Sequence, residues 1–261
     1  MDIPFGDSKV MKQGLVTIVT PLYNAEKYIK ETIDSVKSQT YSNWEWFIVD
    51  DCSTDNGVEV TRELIKGDDR IHLILKTTND GTAKTRNQGL KRANGQYITF
   101  IDADDLWNKE FLEKQINFMK EHNCPFVFSS YLRKSDKTSS IFVVPEKVTY
   151  KNILKTCSIS CLTSIYDASI LGVELMREDL RKREDMACWL QLLKRTPFAL
   201  GNKECLATYR ILQNSKSHKK MRVIKYQWAV YRKVEKMNIF RSFYYLCFWA
   251  INGIKKYRGV K

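Results

Sequence analysis

From residue 15 to residue 101, short runs of β-branched and aliphatic residues alternate with stretches whose apolar positions recur every three or four residues. A continuous or alternating apolar run suits a strand, and a 3.6-residue period suits an amphipathic helix. The pattern predicts strands at Leu15 to Thr20, Glu45 to Asp50, Ile71 to Leu75 and Gln96 to Ile101, with helices near residues 25–38, 57–66 and 82–94. That strict alternation argues for an α/β fold with a parallel sheet and crossover helices. Ligands of such sheets bind beyond the carboxyl ends of the strands, so the loops Pro21 to Asn24, Asp51 to Asp55, Asn79 to Arg86 and Asp102 to Asp105 are expected to converge.

Beyond residue 106 the order loosens into a mixed second half. A helix near 108–122 is followed by strands near 126–131 and 141–144 and a short strand at Thr163 to Tyr166. A helix at 183–194, short strands near 198–209 and two helical stretches at about 218–237 and 239–257 complete the chain. We expect one domain over 1–215, with a nucleotide-binding half at about 15–106 and an acceptor-binding half at about 107–215. Residues 216–261 form a basic, aromatic helical tail.

Charge changes the picture most at that tail. The formal net charge is +13, but residues 216–261 carry 13 Lys and Arg against one acid, Glu235, leaving 30 basic and 29 acidic residues for the rest. A nucleic-acid-binding domain should show a basic stripe through its body, so no nucleic-acid partner is expected. The seven cysteines form no CxxC pair and no zinc spacing, which reads as reduced thiols. No secretory signal or spanning segment is visible, so a cytoplasmic location is expected.

Three segments carry candidate chemistry. In Phe100-Ile-Asp-Ala-Asp-Asp-Leu-Trp107 an apolar strand ends on three acids, which suits Mg²⁺ or Mn²⁺ bridging a diphosphate, or equally a helix-capping turn. Phe47-Ile-Val-Asp-Asp-Cys-Ser-Thr-Asp-Asn56 ends the same way, offering an acceptor to a base or ribose, or a plain Asx-rich loop. Asn79 to Gly89 opens a helix with Lys84 and Arg86 in its first turns, a phosphate site or a solvated helix start.

Together these segments resemble the family 2 inverting glycosyltransferases of GT-A fold, bacterial enzymes that build lipopolysaccharide, capsule and exopolysaccharide chains. Val16-Thr-Ile-Val-Thr-Pro-Leu-Tyr-Asn24 is similar to that family's opening nucleotide-binding strand and loop, which implicates Pro21, Tyr23 and Asn24. The resemblance further implies that Asp51 binds uracil and that Arg86 and Asn87 form the donor-binding Arg-Asn pair. Asp102-Ala103-Asp104 resembles the DxD motif, with Asp102 at the ribose and Asp104 on the metal. In Arg181-Lys-Arg-Glu-Asp-Met186 the pair Glu184-Asp185 matches the acceptor-side motif, making Asp185 the base, where the residues alone read as helix N-terminal acids. Tyr209-Arg210 and Asn214 to His218 resemble the loop that closes over the diphosphate, with His218 a further metal ligand. Cys161 to Thr163 matches too, without a role.

The implied reaction is transfer from a UDP-sugar to a saccharide acceptor, lipid-linked in this reading, by single displacement with Mn²⁺ or Mg²⁺ as cofactor. Rival readings are a nucleotidyltransferase, which needs a Gly-rich basic loop that Pro21 to Glu26 lacks, and an inactive nucleotide- or glycan-binding protein, against which Asp104 and Asp185 speak. The tail's aromatics flanked by cations suit an interfacial helix on an anionic membrane, peripheral on the cytoplasmic face of the inner membrane. The competing reading packs those aromatics on the domain.

Overall fold

The computed structural model describes residues 10–212 and 220–258, and the side chains of 220–222 and 254–258 are not described. The first half follows the sequence pattern closely. β1 (Lys12–Leu22), α1 (Glu26–Lys37), β2 (Trp44–Asp50), α2 (Gly57–Leu64), β3 (Ile71–Leu75), α3 (Thr82–Leu90) and β4 (Gly95–Phe100) alternate in order. β3, β2, β1 and β4 lie side by side and parallel.

β1, β2 and β4 are largely buried on both faces, and the two-residue period sends alternate side chains into separate cores. Ile18 and Tyr97 enter the core that holds Ile29, Ile33 and Val36 of α1, whereas Val19, Ile98 and Phe100 enter the other. α3 lies on that second side, pressed flat on the sheet at Gly89. A Cβ there would come within 2.8 Å of Val19 Cγ1 and 3.3 Å of Phe47 Cβ. Only glycine allows this approach, so sterics set the height of α3 above β1 and β2.

The second half widens the sheet. After β5 (Leu106–Trp107) and α4 (Phe111–Glu121) come β6 (Phe126–Lys134), β7 (Ser139–Phe142), β8 (Lys147–Val148) and α5 (Tyr150–Lys155). A 3₁₀ turn at Cys161–Thr163, β9 (Ile165–Asp167), α6 (Ala168–Leu171), α7 (Glu184–Leu192) and β10 (Ala199–Arg210) follow. β9 inserts antiparallel between β4 and β6, giving the order β3-β2-β1-β4-β9-β6-β10-β5. The fold is thus the expected α/β class with a mixed central sheet. In place of short strands near 198–209, β10 is a single strand of 12 residues whose register slips twice, between Asn202 and Ala207. Each slip interrupts the alternation that a sequence reading depends on.

The chain ends in α8 (Lys220–Ala229), a π-helical turn (Val230–Val234) and α9 (Ile239–Arg258). Val230, Tyr231, Val234, Met237 and Tyr245 join the same core as α3 and α7. Tyr231 donates its hydroxyl to Leu154 O at 2.6 Å. Glu235, almost fully buried, accepts from Tyr150, from Gln191 Nε2 at 3.1 Å and from Lys194 Nζ at 2.9 Å. The sole acid of the tail therefore clasps it to α5 and α7. Part of the tail packs as the competing reading expected, and one face of α9 does not: Phe240 is 87% exposed and Phe243 61%.

Candidate active site

The four loops at the carboxyl ends of β1 to β4 are hydrogen-bonded in series. Asn24, left-handed at φ 50°, accepts from Thr54 N at 2.8 Å and donates its own N–H to Ser53 Oγ at 3.0 Å. Asp55 receives Glu26 N at 2.8 Å, closing the first two loops together. Asp51 is buried and accepts from Lys76 Nζ, from Asp80 N at 3.0 Å and from Gly81 N at 2.9 Å. A carboxylate offers about four lone-pair positions, so one is left for a base. Gly81, at φ 88°, then starts α3. Pro21 is half-buried, Tyr23 is 45% exposed, and Lys84 reaches Asp80 at 3.6 Å from the surface of the first turn of α3.

Arg86 links the halves of the molecule. Its buried guanidinium donates to Asp102 at 2.6 Å and lies 3.7 Å from Glu184 at the start of α7. Burial opposes its charge, but Asp102 and Glu184 outweigh burial and hold its pKa up. Nε has no partner among the described residues. Asn87 is spent elsewhere: its amide exchanges hydrogen bonds with the Met176 backbone and donates to Glu178.

The acidic turn is crowded. Burial first, then Asp102, raises the Asp104 pKa to about 6. Asp105 is pushed well above the carboxylate range by burial, Asp104 and Asp102. One of its oxygens accepts from Arg210 N at 2.9 Å, and the other has no partner among the described residues. Tyr209 is pushed up to about 12 by burial and then by Asp105, Asp102 and Asp104. Ala103, the middle residue of the DxD-like turn, packs its methyl into the core and gives its carbonyl to Thr32 Oγ1 at 3.0 Å. The Arg210 side chain does not join the acids: it pairs with Glu31 at 2.7 Å. His218 lies outside the described residues.

On the facing side, Arg183 holds the left-handed φ of 71° and α7 begins with Glu184 and Asp185. Burial and then Asp185, against Arg86, raise the Glu184 pKa to about 6. Asp185 accepts from Met186 N at 2.7 Å, which fixes its carboxylate at the head of the helix.

Two residues at this site had no assigned role in the sequence. Asp105 is signalled only as the third acid of its turn. Cys161 is electrostatically close to Arg86, Asp102, Asp185 and Glu184. β9 pairs antiparallel with β4, Ile165 opposite Thr99, so the chain before β9 passes the acidic turn.

Arg86 thus stands between two acid pairs, Asp102 with Asp104 and Glu184 with Asp185. The model of Glycosyl transferase family 2 matches residues 17–180. The chain belongs to this family. It is a glycosyltransferase.

Curated relatives agree over nearly their full lengths. The transferase is 41% identical, over 93% of its own chain and 97% of the relative, to TuaG of Bacillus subtilis, a protein assigned to teichuronic acid biosynthesis. It is 36% identical, over 95% and 96%, to WfgD of Escherichia coli, a UDP-Glc:α-D-GlcNAc-diphosphoundecaprenol β-1,3-glucosyltransferase. Among solved structures, S. aureus TarS 1–349 in complex with UDP-GlcNAc superposes with a TM-score of 0.69 at 22% identity, covering 90% of this chain and 71% of TarS. That likeness supports the GT-A fold.

Proposed function

We propose that this glycosyltransferase moves a sugar from a UDP-sugar to a lipid-linked saccharide in bacterial surface-polysaccharide synthesis, with inversion. The observation that carries the reading is Arg86, one side chain in contact with both Asp102 and Glu184, which joins the acidic turn after β4 to the head of α7 and supports reading them as the donor and acceptor sides of one site. The names of TuaG, WfgD and the UDP-GlcNAc complex of TarS support the pathway, the lipid-linked acceptor and the donor class. Asp185 takes the proton of the attacking hydroxyl as the new bond forms on the face opposite the nucleotide, a contribution of about 10² to 10⁴ in rate. Asp51 receives the base, Asp102 the ribose, and Arg86 meets the charge that develops on the departing UDP. Pro21, Tyr23, Asn24 and Lys84 border the same cleft.

The residues fit a divalent cation. Asp104 and Asp105 have no ion pair among the described residues, and Asp105 keeps an orphaned buried oxygen. No group of three or more potential ligands converges among the described residues. A Mg²⁺ or Mn²⁺ ion here would take the rest of its shell from phosphate oxygens and water. Asp104 would hold the ion, with His218 as a further ligand, and the cation would supply Lewis-acid relief of charge on the leaving diphosphate. Calorimetric titration of UDP with Mn²⁺, Mg²⁺ or chelator is expected to show tight binding only with metal, and loss of that dependence in Asp104→Ala. Equal affinity in every arm refutes the metal assignment.

The lipid-linked acceptor needs a surface, and α9 offers one. No helix of the described residues is long and apolar enough to cross a membrane. Ile239, Phe240, Phe243, Tyr244, Phe248 and Ile251 are exposed on the half of α9 opposite buried Ser242 and Tyr245. The excess of cations in 216–261 contributes about 1 kcal/mol per residue near an anionic leaflet, and the aromatics settle at its interface. Attachment to the cytoplasmic leaflet follows. Co-sedimentation with liposomes should require anionic lipid, weaken with salt, and drop at least tenfold in Phe240→Glu/Phe243→Glu, which leaves the buried face intact. Undiminished binding by that variant excludes α9 as the contact.

A further inference from the structure

Asn87, adjoining Arg86 on α3, is only 1% exposed, and its side chain makes three hydrogen bonds. Its carbonyl oxygen accepts from Met176 N at 2.8 Å, and its amide nitrogen donates to Met176 O at 3.0 Å and to Glu178 Oε1 at 2.8 Å. These bonds join residues 89 to 91 positions apart, across the two halves of the chain. Met176 and Glu178 lie in the segment without helix or strand that runs from α6 to the head of α7, where Glu184 and Asp185 sit. Arg86 touches the same segment at its far end, 3.7 Å from Glu184. Consecutive residues of one helix thus hold the approach to Asp185 at two points eight residues apart.

We infer that Asn87 is a positioning residue for Asp185, acting through Met176 and Glu178, and makes no contact with the donor. The inference rests on Asp185 being the base. An irregular segment has no ladder of its own to fix it, so an amide that satisfies both polar groups of the Met176 backbone supplies the missing register. Displacing a catalytic group by about 1 Å can cost a factor of about 10². A donor contact, by contrast, would need an exposed amide, whereas Asn87 is 1% exposed and both of its N–H donors are turned to Met176 and Glu178.

The test uses Asn87→Asp in the full-length protein. The change keeps shape but replaces two donations by a carboxylate facing the Met176 carbonyl and the Glu178 carboxylate. Expected results are a 10- to 100-fold fall in kcat, with UDP affinity and the KM for UDP-sugar within about twofold of the parent. Adding Glu178→Gln should recover at least threefold of that loss, because the glutamine amide can donate to the introduced carboxylate. Asn87→Ser, milder in its effect on folding, should show the same split with a smaller kcat loss. A fall in UDP affinity that matches the fall in kcat makes Asn87 a donor contact and overturns the inference, as does unchanged kcat or absence of recovery. If Asp185→Asn retains turnover while Asn87→Asp shows the split, the base assignment fails and the positioning role passes to Glu184, held from the same helix.

Discussion

Asp185→Asn is expected to lower kcat for sugar transfer by about 10² to 10⁴ while leaving UDP affinity and the melting temperature unchanged. The amide oxygen of Asn can still accept from Met186 N, the hydrogen bond that holds Asp185 at the head of α7, so the helix start survives. What disappears is the ability to take a proton. Glu184 is poorly placed to substitute, because Arg86 already lies against it. Steady-state kinetics with a saccharide acceptor, alongside UDP calorimetry, provides the check. A loss below about tenfold transfers the role to Glu184.

Asp104→Asn should produce opposite effects on stability and function. With its pKa raised from 3.8 to about 6, the folded, metal-free protein retains a proton on Asp104 that the unfolded chain has already released. Folding stability therefore falls as pH rises from about 4 to about 6, and levels off above the folded pKa. A shift of roughly two units corresponds to about 3 kcal/mol, reduced by solvent at a group that is not fully buried to about 1 to 2 kcal/mol. Asn removes that penalty, so the variant should melt higher than the parent at pH 7.5 in chelator and should show a shallower slope between pH 4 and 6, the remaining slope coming from Glu184 and Asp105. With Mn²⁺ and UDP the order reverses, since bound ligand stabilises only the protein that binds it. Thermal melts across pH, with and without ligand, read both effects. A lower melting point for Asp104→Asn in chelator at pH 7.5 contradicts the crowding of carboxylates at this turn.

The first half was legible because its information is local. β3 spans the predicted Ile71 to Leu75, and the neighbouring strand ends shift by at most three residues. Acids at strand ends mark a cleft whatever the helices do. The second half resisted reading for physical reasons. β5, β8, α5 and α6 have two to six residues, too few to show a period, and β10 slips register mid-strand. Asn87 reads as one of a pair with Arg86, and only the tertiary arrangement turns its amide toward Met176. The tail shows the same limit. Its composition announces cations and aromatics, but which aromatics are covered depends on the partner surface, so Tyr245 is buried while its neighbour Tyr244 is exposed.

The flush contact at Gly89 has an engineering consequence. With 2.8 Å between a would-be Cβ and Val19, α3 is a fixed reference height, and even a methyl would tilt Arg86 and Asn87 together. Libraries intended to change the accepted sugar nucleotide should therefore leave residues 82–90 untouched.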